Sequence, residues 1–114
     1  MTDCIFCRIA RGEIPSYRLD ETPRLLAFRD IQPQAPTHVL IIPREHVASS
    51  AAEIGAAQGE LMGELFELAA RIAQREGLTG GWRLVTNVGP DAGQSVAHLH
   101  FHLLGGRAFA WPPG

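Results

Sequence analysis

The sequence has no lysine and few of the features that mark membrane, secreted or nucleic-acid-binding proteins. Its ten cationic residues are all arginine, and twelve acidic residues bring the formal net charge to only −2. A chain without a basic excess lacks the electrostatic footprint for nucleic-acid backbones or anionic lipid. No apolar run approaches the roughly 20 residues that span a bilayer, and the N-terminal stretch does not resemble a secretory signal. We therefore expect a cytoplasmic protein whose partners are small molecules or other proteins, not nucleic acid or membrane.

Cysteine is scarce, and the two that occur are Cys4 and Cys7 in CIFC. In a reducing compartment such a pair is more often half of a metal site or a redox motif than a disulfide. A thioredoxin-like redox motif would follow a strand, and nothing before Cys4 can form one. Metal binding is thus the favoured reading, with two small buried thiols beside Phe6 as the alternative.

The length of 114 residues predicts a single domain spanning 1–114. Residues 4–15 favour a short N-terminal helix, which Gly12 and Pro15 end. One long amphipathic helix is predicted from about Glu53 to Glu76, where apolar residues recur at intervals of three and four.

Five short segments have the pattern of strands. YRLDET and LLAFRDI suggest a hairpin, THVLIIP a buried strand in the middle of a sheet, WRLVTNV a fourth strand and residues 98–104 a fifth. Together they predict an α+β domain with a largely antiparallel sheet of about five strands, one long helix and one short one.

Three of the five histidines alternate with bulky apolar residues in HLHFHLL, residues 98–104. Because side chains alternate across a strand, His98, His100 and His102 are expected on one face and the apolar residues on the other, under the long helix. The outer two would lie about 13 Å apart at Cα, too far for all three to hold one zinc at about 2.0–2.1 Å without a sharp bend. We therefore predict that the three imidazoles line the floor of a ligand site. The alternative is a set of surface or hydrogen-bonded histidines without a function.

What remains is imidazole chemistry: one nucleophile flanked by imidazoles that orient it and move protons. A neutral imidazole attacks through one ring nitrogen only if its other nitrogen is held as a donor, so an acceptor must lie behind it. Phosphorus is the electrophile that fits best, because phosphoryl transfer needs alignment and charge stabilisation. The loop GPDAGQS, directly upstream, can present the backbone N–H groups of Gln94, Ser95 and Val96 to phosphate oxygens.

The segment HLHFHLL resembles the His-φ-His-φ-His-φ-φ signature (φ apolar) of the histidine triad (HIT) superfamily. The resemblance covers nearly the whole chain, through CIFCRIARGEIP, FRDIQPQAPTHVLIIPREH, NVGPDAGQSVAHLHFHLLGGR and the terminal WPPG. The last two segments are similar to the Hint branch, the purine nucleoside phosphoramidases and nucleotide-binding proteins, rather than to the Fhit branch of dinucleoside polyphosphate hydrolases.

This resemblance implies a HIT-like fold and an enzyme that cleaves the P–N bond of purine nucleoside 5′-phosphoramidates, which are AMP or GMP conjugates. By similarity His100 attacks the α-phosphorus, releasing an amine and leaving a nucleotidylated histidine that water hydrolyses. His102 is expected to contact the phosphate and the leaving group, and His98 and His38 to belong to the imidazole network that orients the site and relays protons. Hydrolysis of dinucleoside polyphosphates is one alternative; a non-catalytic module that binds protein in a nucleotide- or zinc-dependent way is another.

The resemblance also implies nucleotide contacts. Asp30 is expected to take the ribose hydroxyls, since a carboxylate accepts hydrogen bonds from both; its alternative is a turn residue before Pro33. An apolar slot is expected around the purine, and other residues on the ribose-phosphate side, where plain loop hydrogen bonding is the alternative. The slot residues are Ile5, Phe6, Ile9, Phe28 and Ile31, and the ribose-phosphate residues are Asn87, Gly93, Gln94 and Ser95.

Catalysis in the family requires no cofactor. Whether this chain binds a structural zinc ion is left open by the resemblance. Some bacterial members with this cysteine pair bind zinc with two histidines as well, which here would join Cys4 and Cys7 to His46 and His98. Other proteins of the branch that end in WPPG have no zinc.

Hint proteins are homodimers in which the C-terminal segment approaches the partner's active site. The resemblance therefore implies a dimer in which the tail, about residues 107–114, brings Trp111 near the site of the second subunit. Without the resemblance, the tail would be a frayed end.

Overall fold

The computed structural model describes residues 4–114, and its framework is an antiparallel five-stranded sheet with a helix on each face. The elements in chain order are α1 (Ile5–Ala10), β1 (Arg18–Glu21), β2 (Leu25–Arg29), β3 (Thr37–Pro43), α2 (Gly59–Arg75), β4 (Trp82–Val85) and β5 (Phe101–Gly105). The predicted α+β class, with one long and one short helix, is confirmed.

The strands lie in the order β1-β2-β3-β5-β4, and every neighbouring pair is antiparallel. β1 and β2 form the predicted hairpin, and β3 occupies the centre. All seven residues of β3 are buried, because the sheet is covered on both faces and a central strand then has no solvent side. The strand β5, next to it, carries His102 opposite Leu40.

Alternation of side chains divides the apolar residues between two cores. The face under α2 takes Leu25 and Ala27 of β2, Val39 and Ile41 of β3, and Leu99, Phe101 and Leu103 near β5. The opposite face, under α1, takes Leu26, Phe28, Leu40 and Ile42 with Phe6 and Ile9. Because the second face is only partly covered by the six-residue helix α1, part of it remains open to a ligand.

Ion pairs join the helix α2 to the β1–β2 hairpin. Arg71 and Arg75 both contact the Asp20 carboxylate, and Arg24 pairs with Glu64 at 2.8 Å. These half-exposed pairs lie at the edge of the apolar core that packs α2 on the sheet, on the face away from the histidines. No helix among the described residues is long and apolar enough to cross a membrane.

Two predicted boundaries were wrong. The long helix begins at Gly59 and not near Glu53, because two short 3₁₀ turns separated by an extended Ile54 precede it. The fifth strand begins at Phe101 and not at residue 98, since Leu99 N–H bonds to Ala48 O and the His98 ring takes the carbonyl of Pro43. At His98 and His100, loop contacts therefore take the place of hydrogen bonds between strands.

Candidate active site and metal cluster

A pocket of about 380 Å³ lies between α1 and the open part of the sheet. Its walls combine an apolar slot with a polar end that contains two of the histidines. The lining residues are Ile5, Phe6, Ile9, Ile14, Pro15, Ser16, Phe28, Arg29, Asp30, Ile31, Gln32, Leu40, Ser95, Val96, His100 and His102. A largely apolar cleft with a few convergent polar groups is the usual form of a small-molecule site.

His100 has the acceptor behind its ring that a nucleophilic imidazole requires. Its Nδ1 lies 2.7 Å from the carbonyl oxygen of His98, which can only accept, so Nδ1 donates its hydrogen there. The other ring nitrogen, Nε2, consequently carries the lone pair. The edge-to-face contact with Phe6, 4.9 Å between ring centroids, helps to hold the ring on the pocket floor.

A second chain of hydrogen bonds assigns the tautomers of His38 and His102. The backbone N–H of Gln34 donates to His38 Nδ1 at 3.0 Å, so the hydrogen of that neutral ring is on Nε2. His38 Nε2 donates to His102 Nδ1 at 2.9 Å, which leaves the hydrogen of His102 on its own Nε2. The pocket thus holds one imidazole with a free lone pair, His100, and one with a free N–H, His102.

Burial keeps the rings of this network neutral. Desolvation, together with the neighbouring His100 and His38, lowers the pKa of His102 to about 4, against the opposing effect of the Asp30 carboxylate. Burial also lowers the pKa of His38, although the Asp30 carboxylate opposes it. A phosphate brought into the pocket would supply the opposite charge and favour a protonated His102.

Asp30 lies at the mouth of the pocket and is only partly engaged. One carboxylate oxygen accepts the backbone N–H of Gln32 at 2.8 Å, and the other lies 3.4 Å from His38 Nε2. The remaining lone pairs of a carboxylate are available for hydroxyl donors. The turn role and the ligand role considered for Asp30 are thus compatible.

The loop before the histidines is held together by the Gln94 side chain. Its Oε1 accepts Gly89 N–H at 2.9 Å, and its Nε2 donates to Ser49 O at 2.8 Å and to Val96 O at 3.1 Å. With its carbonyl and both amide hydrogens engaged, this side chain shapes the loop that brings Ser95 and Val96 to the pocket. The left-handed Gly93, with φ of 84°, makes the turn.

Most of the predicted site residues meet in one place. The five apolar slot residues, Asp30, Ser95, His100 and His102 all line the pocket, and His38 lies directly behind His102. Asn87, Gly93 and Gln94 do not line it, and their ligand contacts stay a prediction. His98 is completely buried and turns away toward the cysteines.

Sequence reasoning missed part of the wall. Leu40 could have been found, because it shares a face of β3 with His38 and side chains alternate along a strand. Ile14, Pro15 and Ser16 belong to an irregular connection between α1 and β1, and no periodicity indicates where such residues face.

Cys4, Cys7, His46 and His98 form a second cluster, at the N-terminal end of α1. The sulfur-to-Nδ1 distances are 3.2 and 3.5 Å to His98 and 3.7 Å from each cysteine to His46. Zinc bonds of about 2.3 Å to sulfur and about 2.05 Å to nitrogen at the tetrahedral angle place these atoms about 3.5 Å apart. His98 Nε2 donates to Pro43 O, so its Nδ1 lone pair faces the thiols, as a metal ligand requires. The predicted four residues therefore fit a zinc ion.

Asp30, His38 and His102 also approach within a metal-binding distance of one another, but their protonation does not fit a metal. His38 Nδ1 accepts a backbone N–H, so the nitrogen that faces the cluster, Nε2, carries hydrogen and has no lone pair. Residues 4–114 thus contain one cluster suited to a metal and one suited to moving protons.

Comparison with known proteins agrees with this arrangement. The family profile of the HIT domain matches residues 11–109. The chain is 49% identical over 111 residues to a 14 kDa zinc-binding protein of Zea mays, covering 96% of this chain and 87% of that protein.

Two solved structures have the same fold. A HIT family hydrolase of Legionella pneumophila superposes with a TM-score of 0.94 and 50% identity, covering 98% of this chain and all of the other. A histidine triad nucleotide-binding protein of Candida albicans superposes with a TM-score of 0.81 and 34% identity, covering 96% of this chain and 83% of the other.

The buried His102 predicts a loss of stability on acidification. Its pKa is about 4 in the folded protein against 6.5 for an ordinary histidine, so between these values the unfolded state binds more protons and the free energy of unfolding falls as the pH falls. We expect His102 to account for about 2 kcal/mol between pH 6.5 and pH 4, measured by denaturant titration across this range.

The control is His102→Gln, which removes the titrating ring but leaves the carboxylates and the cysteine cluster as they are. Its free energy of unfolding should fall less steeply with decreasing pH than that of the wild type. Equal slopes for the two proteins would show that His102 is not the group responsible.

Proposed function

This chain belongs to the HIT domain family, and we propose that it is a hydrolase that cleaves the P–N bond of purine nucleoside 5′-phosphoramidates through a nucleotidyl intermediate on His100. The observation that carries the proposal is the hydrogen bond of His100 Nδ1 to the His98 carbonyl oxygen, which leaves Nε2 as a free nucleophile on the pocket floor. Two solved relatives, one known as a hydrolase and the other as a nucleotide-binding protein, support the reaction class and the kind of ligand.

In the first step, His100 Nε2 forms a bond to the α-phosphorus and the P–N bond of the substrate breaks. The anionic phosphate raises the pKa of His102, which then enters this step protonated, and its Nε2–H passes to the departing amine. This leaves His102 neutral, with its hydrogen on Nδ1 and a lone pair on Nε2. While His102 Nδ1 carries hydrogen, the Nε2–H of His38 turns to Asp30 Oδ2, 3.4 Å away.

In the second step, water attacks the same phosphorus, His102 takes its proton and the bond to His100 breaks. The products are the amine and a nucleoside 5′-monophosphate. The proton taken from water restores the protonated His102 with which the first step began. The His98 carbonyl oxygen serves both steps, because it holds the Nδ1 hydrogen of His100 while the ring gains and loses positive charge.

The apolar slot suits a flat base. Ile5, Phe6 and Ile9 of α1 and Phe28 of the sheet give the pocket apolar walls, and Ser95, His100 and His102 add polar groups to its lining. A nucleoside phosphate with its base against the apolar walls and its phosphorus at His100 matches this division, with the ribose hydroxyls at Asp30.

The test is to trap the intermediate. The protein is mixed with an adenosine 5′-phosphoramidate, quenched within milliseconds in alkali, which preserves a phosphorus–imidazole bond, and digested for mass spectrometry. We expect a nucleotidyl adduct on the peptide that contains His100. His100→Ala should lose the adduct and reduce turnover by at least about 10³-fold, because the nucleophile itself is gone.

Matched substrates distinguish the alternatives. Faster turnover of diadenosine polyphosphates than of the phosphoramidate would show a dinucleoside polyphosphate hydrolase. Nucleotide binding with neither turnover nor adduct would show a non-catalytic binding module, and an adduct on another residue would overturn the role of His100.

We further propose that Cys4, Cys7, His46 and His98 bind one structural zinc ion. The support is the agreement of four sulfur–nitrogen distances with tetrahedral geometry and the zinc-binding name of the maize relative. Such an ion would join α1, which carries part of the slot, to the loop after β3 and to His98, two residues before His100. Zinc binding and catalysis are compatible, because the cluster uses neither His100 nor His102.

Elemental analysis should find one zinc per chain, and chelation should lower the free energy of unfolding by about 3–4 kcal/mol when zinc had been present at 100–1,000 times its Kd. Cys7→Ser should abolish this response to chelator. The double variant His38→Ala, His102→Ala should keep one zinc per chain, since that cluster is not a ligand set. Zinc lost from the double variant, or retained by Cys7→Ser, would contradict the assignment.

The association with a second copy is also a proposal. Strand β4 is an edge of the sheet and carries the exposed Trp82, and the exposed Phe66 and Val88 lie outside the two cores. Phe109 packs between the guanidinium groups of Arg83 and Arg107, at 5.0 and 4.3 Å. This contact holds the C-terminal tail beside β4, with Trp111 exposed. An unpaired edge with exposed aromatic residues is a surface that a second copy can cover.

Sedimentation equilibrium should give twice the chain mass of 12.4 kDa. Trp82→Asp should shift the protein toward monomer by placing a charge at the edge β4. Tyr17→Asp, an exposed aromatic beside the opposite edge strand β1, should remain dimeric. A monomeric wild type, or equal effects of the two substitutions, would remove the support for this interface.

A further inference from the structure

Ser16 carries a buried hydroxyl that has no hydrogen-bond partner within the fold. Among the described residues, its Oγ is the buried side-chain polar atom left without one. The other buried polar side chains near the site are all engaged: His38 with Gln34, His98 with Pro43 and His100 with the His98 carbonyl. An unpaired buried hydroxyl is costly and uncommon, so it calls for a partner from outside the chain.

The position of Ser16 indicates what that partner is. It lines the same pocket as His100, in the connection between α1 and β1, and follows Ile14 and Pro15 in the wall. The next residue, Tyr17, is fixed to the sheet because its carbonyl accepts the N–H of Arg29 at 2.9 Å. Ser16 therefore places a buried, unpartnered hydroxyl in a wall of the pocket whose backbone is bonded to the sheet at the next residue.

Of the other polar residues that line the pocket, Arg29 is paired with Glu76 and Gln32 is exposed, and the rest already have ligand atoms to contact in the proposed function. The phosphate is served by His100, His102 and Ser95, and the carboxylate of Asp30 suits the ribose hydroxyls. In a nucleoside phosphate the polar groups that remain are on the edge of the base. The apolar side chains that share the slot with Ser16 can cover the faces of a base but cannot hydrogen-bond its edge.

We propose that Ser16 Oγ hydrogen-bonds the heteroatom edge of the purine and is a specificity-determining residue of this pocket, an inference that rests on the proposed nucleotide-binding function. A hydroxyl rotates to donate or to accept, so it pairs with the exocyclic amine of adenine or the carbonyl of guanine equally well. Ser16 therefore selects bases with a polar group at this position and does not separate the two common purines. A base without an exocyclic polar group gains nothing from it.

The first test uses Ser16→Ala and isothermal calorimetry with AMP and GMP, the products of the proposed reaction. We expect both to bind about 3- to 10-fold more weakly, the usual effect of one lost hydrogen bond. In the nucleotide-free protein the same substitution removes an unpaired polar atom, so the Tm should rise or stay unchanged. Weaker binding without loss of stability is a combination that a merely structural hydroxyl would not produce.

A matched control is Ser50→Ala. Ser50 is also buried, but its Oγ accepts the backbone N–H of Ala52 at 3.2 Å and it does not line the pocket. This variant should lower the Tm and leave nucleotide affinity unchanged. A Tm loss in Ser16→Ala like that of Ser50→Ala would show that the hydroxyl has a partner within the fold and would overturn the proposal.

The ligand series locates the contact on the base. Purine riboside 5′-monophosphate, which lacks the exocyclic group, should bind wild type and Ser16→Ala equally. The monophosphate of 2′-deoxyadenosine should keep the full difference between the two proteins. A difference that disappears with the deoxyribose and persists with purine riboside would assign Ser16 to the sugar and contradict the proposal.

The outcomes separate this inference from the function on which it rests. Wild-type protein that binds none of these nucleotides would remove the proposed function and the role of Ser16 with it. Wild-type protein that binds them as tightly as Ser16→Ala does would leave the proposed function standing and overturn only the role of Ser16.

Discussion

The site depends on one hydrogen bond, from His100 Nδ1 to the carbonyl oxygen of His98. A carbonyl oxygen can only accept, so the contact decides which nitrogen of His100 keeps the lone pair. The position of that carbonyl is in turn set by the ring of the same residue, which is completely buried between Pro43 O and the two cysteines. His98 therefore connects the cysteine–histidine cluster to His100, through its side chain on one side and its backbone on the other.

Backbone hydrogen bonds decide which ring nitrogen carries hydrogen in His38 and His100. A side-chain hydrogen bond decides it only in His102. Gln34 N–H holds His38, the His98 carbonyl holds His100, and the proton on His38 then determines that of His102. Backbone partners do not titrate, so the tautomers of His38 and His100 stay the same while a substrate changes the charge in the pocket. Burial of the rings costs stability, since the pKa of His102 is lowered to about 4, and the arrangement persists because the two cores on either side of the sheet supply the folding energy.

Helix α1 contributes both to the cysteine–histidine cluster and to the apolar slot, although it has only six residues. Its cysteines belong to the metal cluster, and Phe6 and Ile9 belong to the slot, so whatever holds Cys4 and Cys7 also holds the wall against which a base would lie. So short a helix is not stable by itself. Its place on the sheet depends on tertiary contacts, among them Phe6 against Phe28 and His100.

The sequence by itself determined the fold class, the central position of β3, the placement of His102 on the face of β5 opposite Phe101 and Leu103, and the grouping of most pocket residues. These follow from the two-residue repeat of strands and the three-to-four-residue repeat of helices, which are local properties. The predicted starts of α2 and β5 were wrong because loop contacts outweigh local preference there, at the extended Ile54 and where the His98 ring contacts Pro43 O. Only the tertiary structure decided that His98 turns to the cysteines while His100 and His102 face the pocket, which imidazole nitrogen is free, and that Ser16 is buried without a partner. Each of these depends on atoms that are distant along the chain, such as Gln34 behind His38 or Cys4 beside His98, and no periodicity records such contacts.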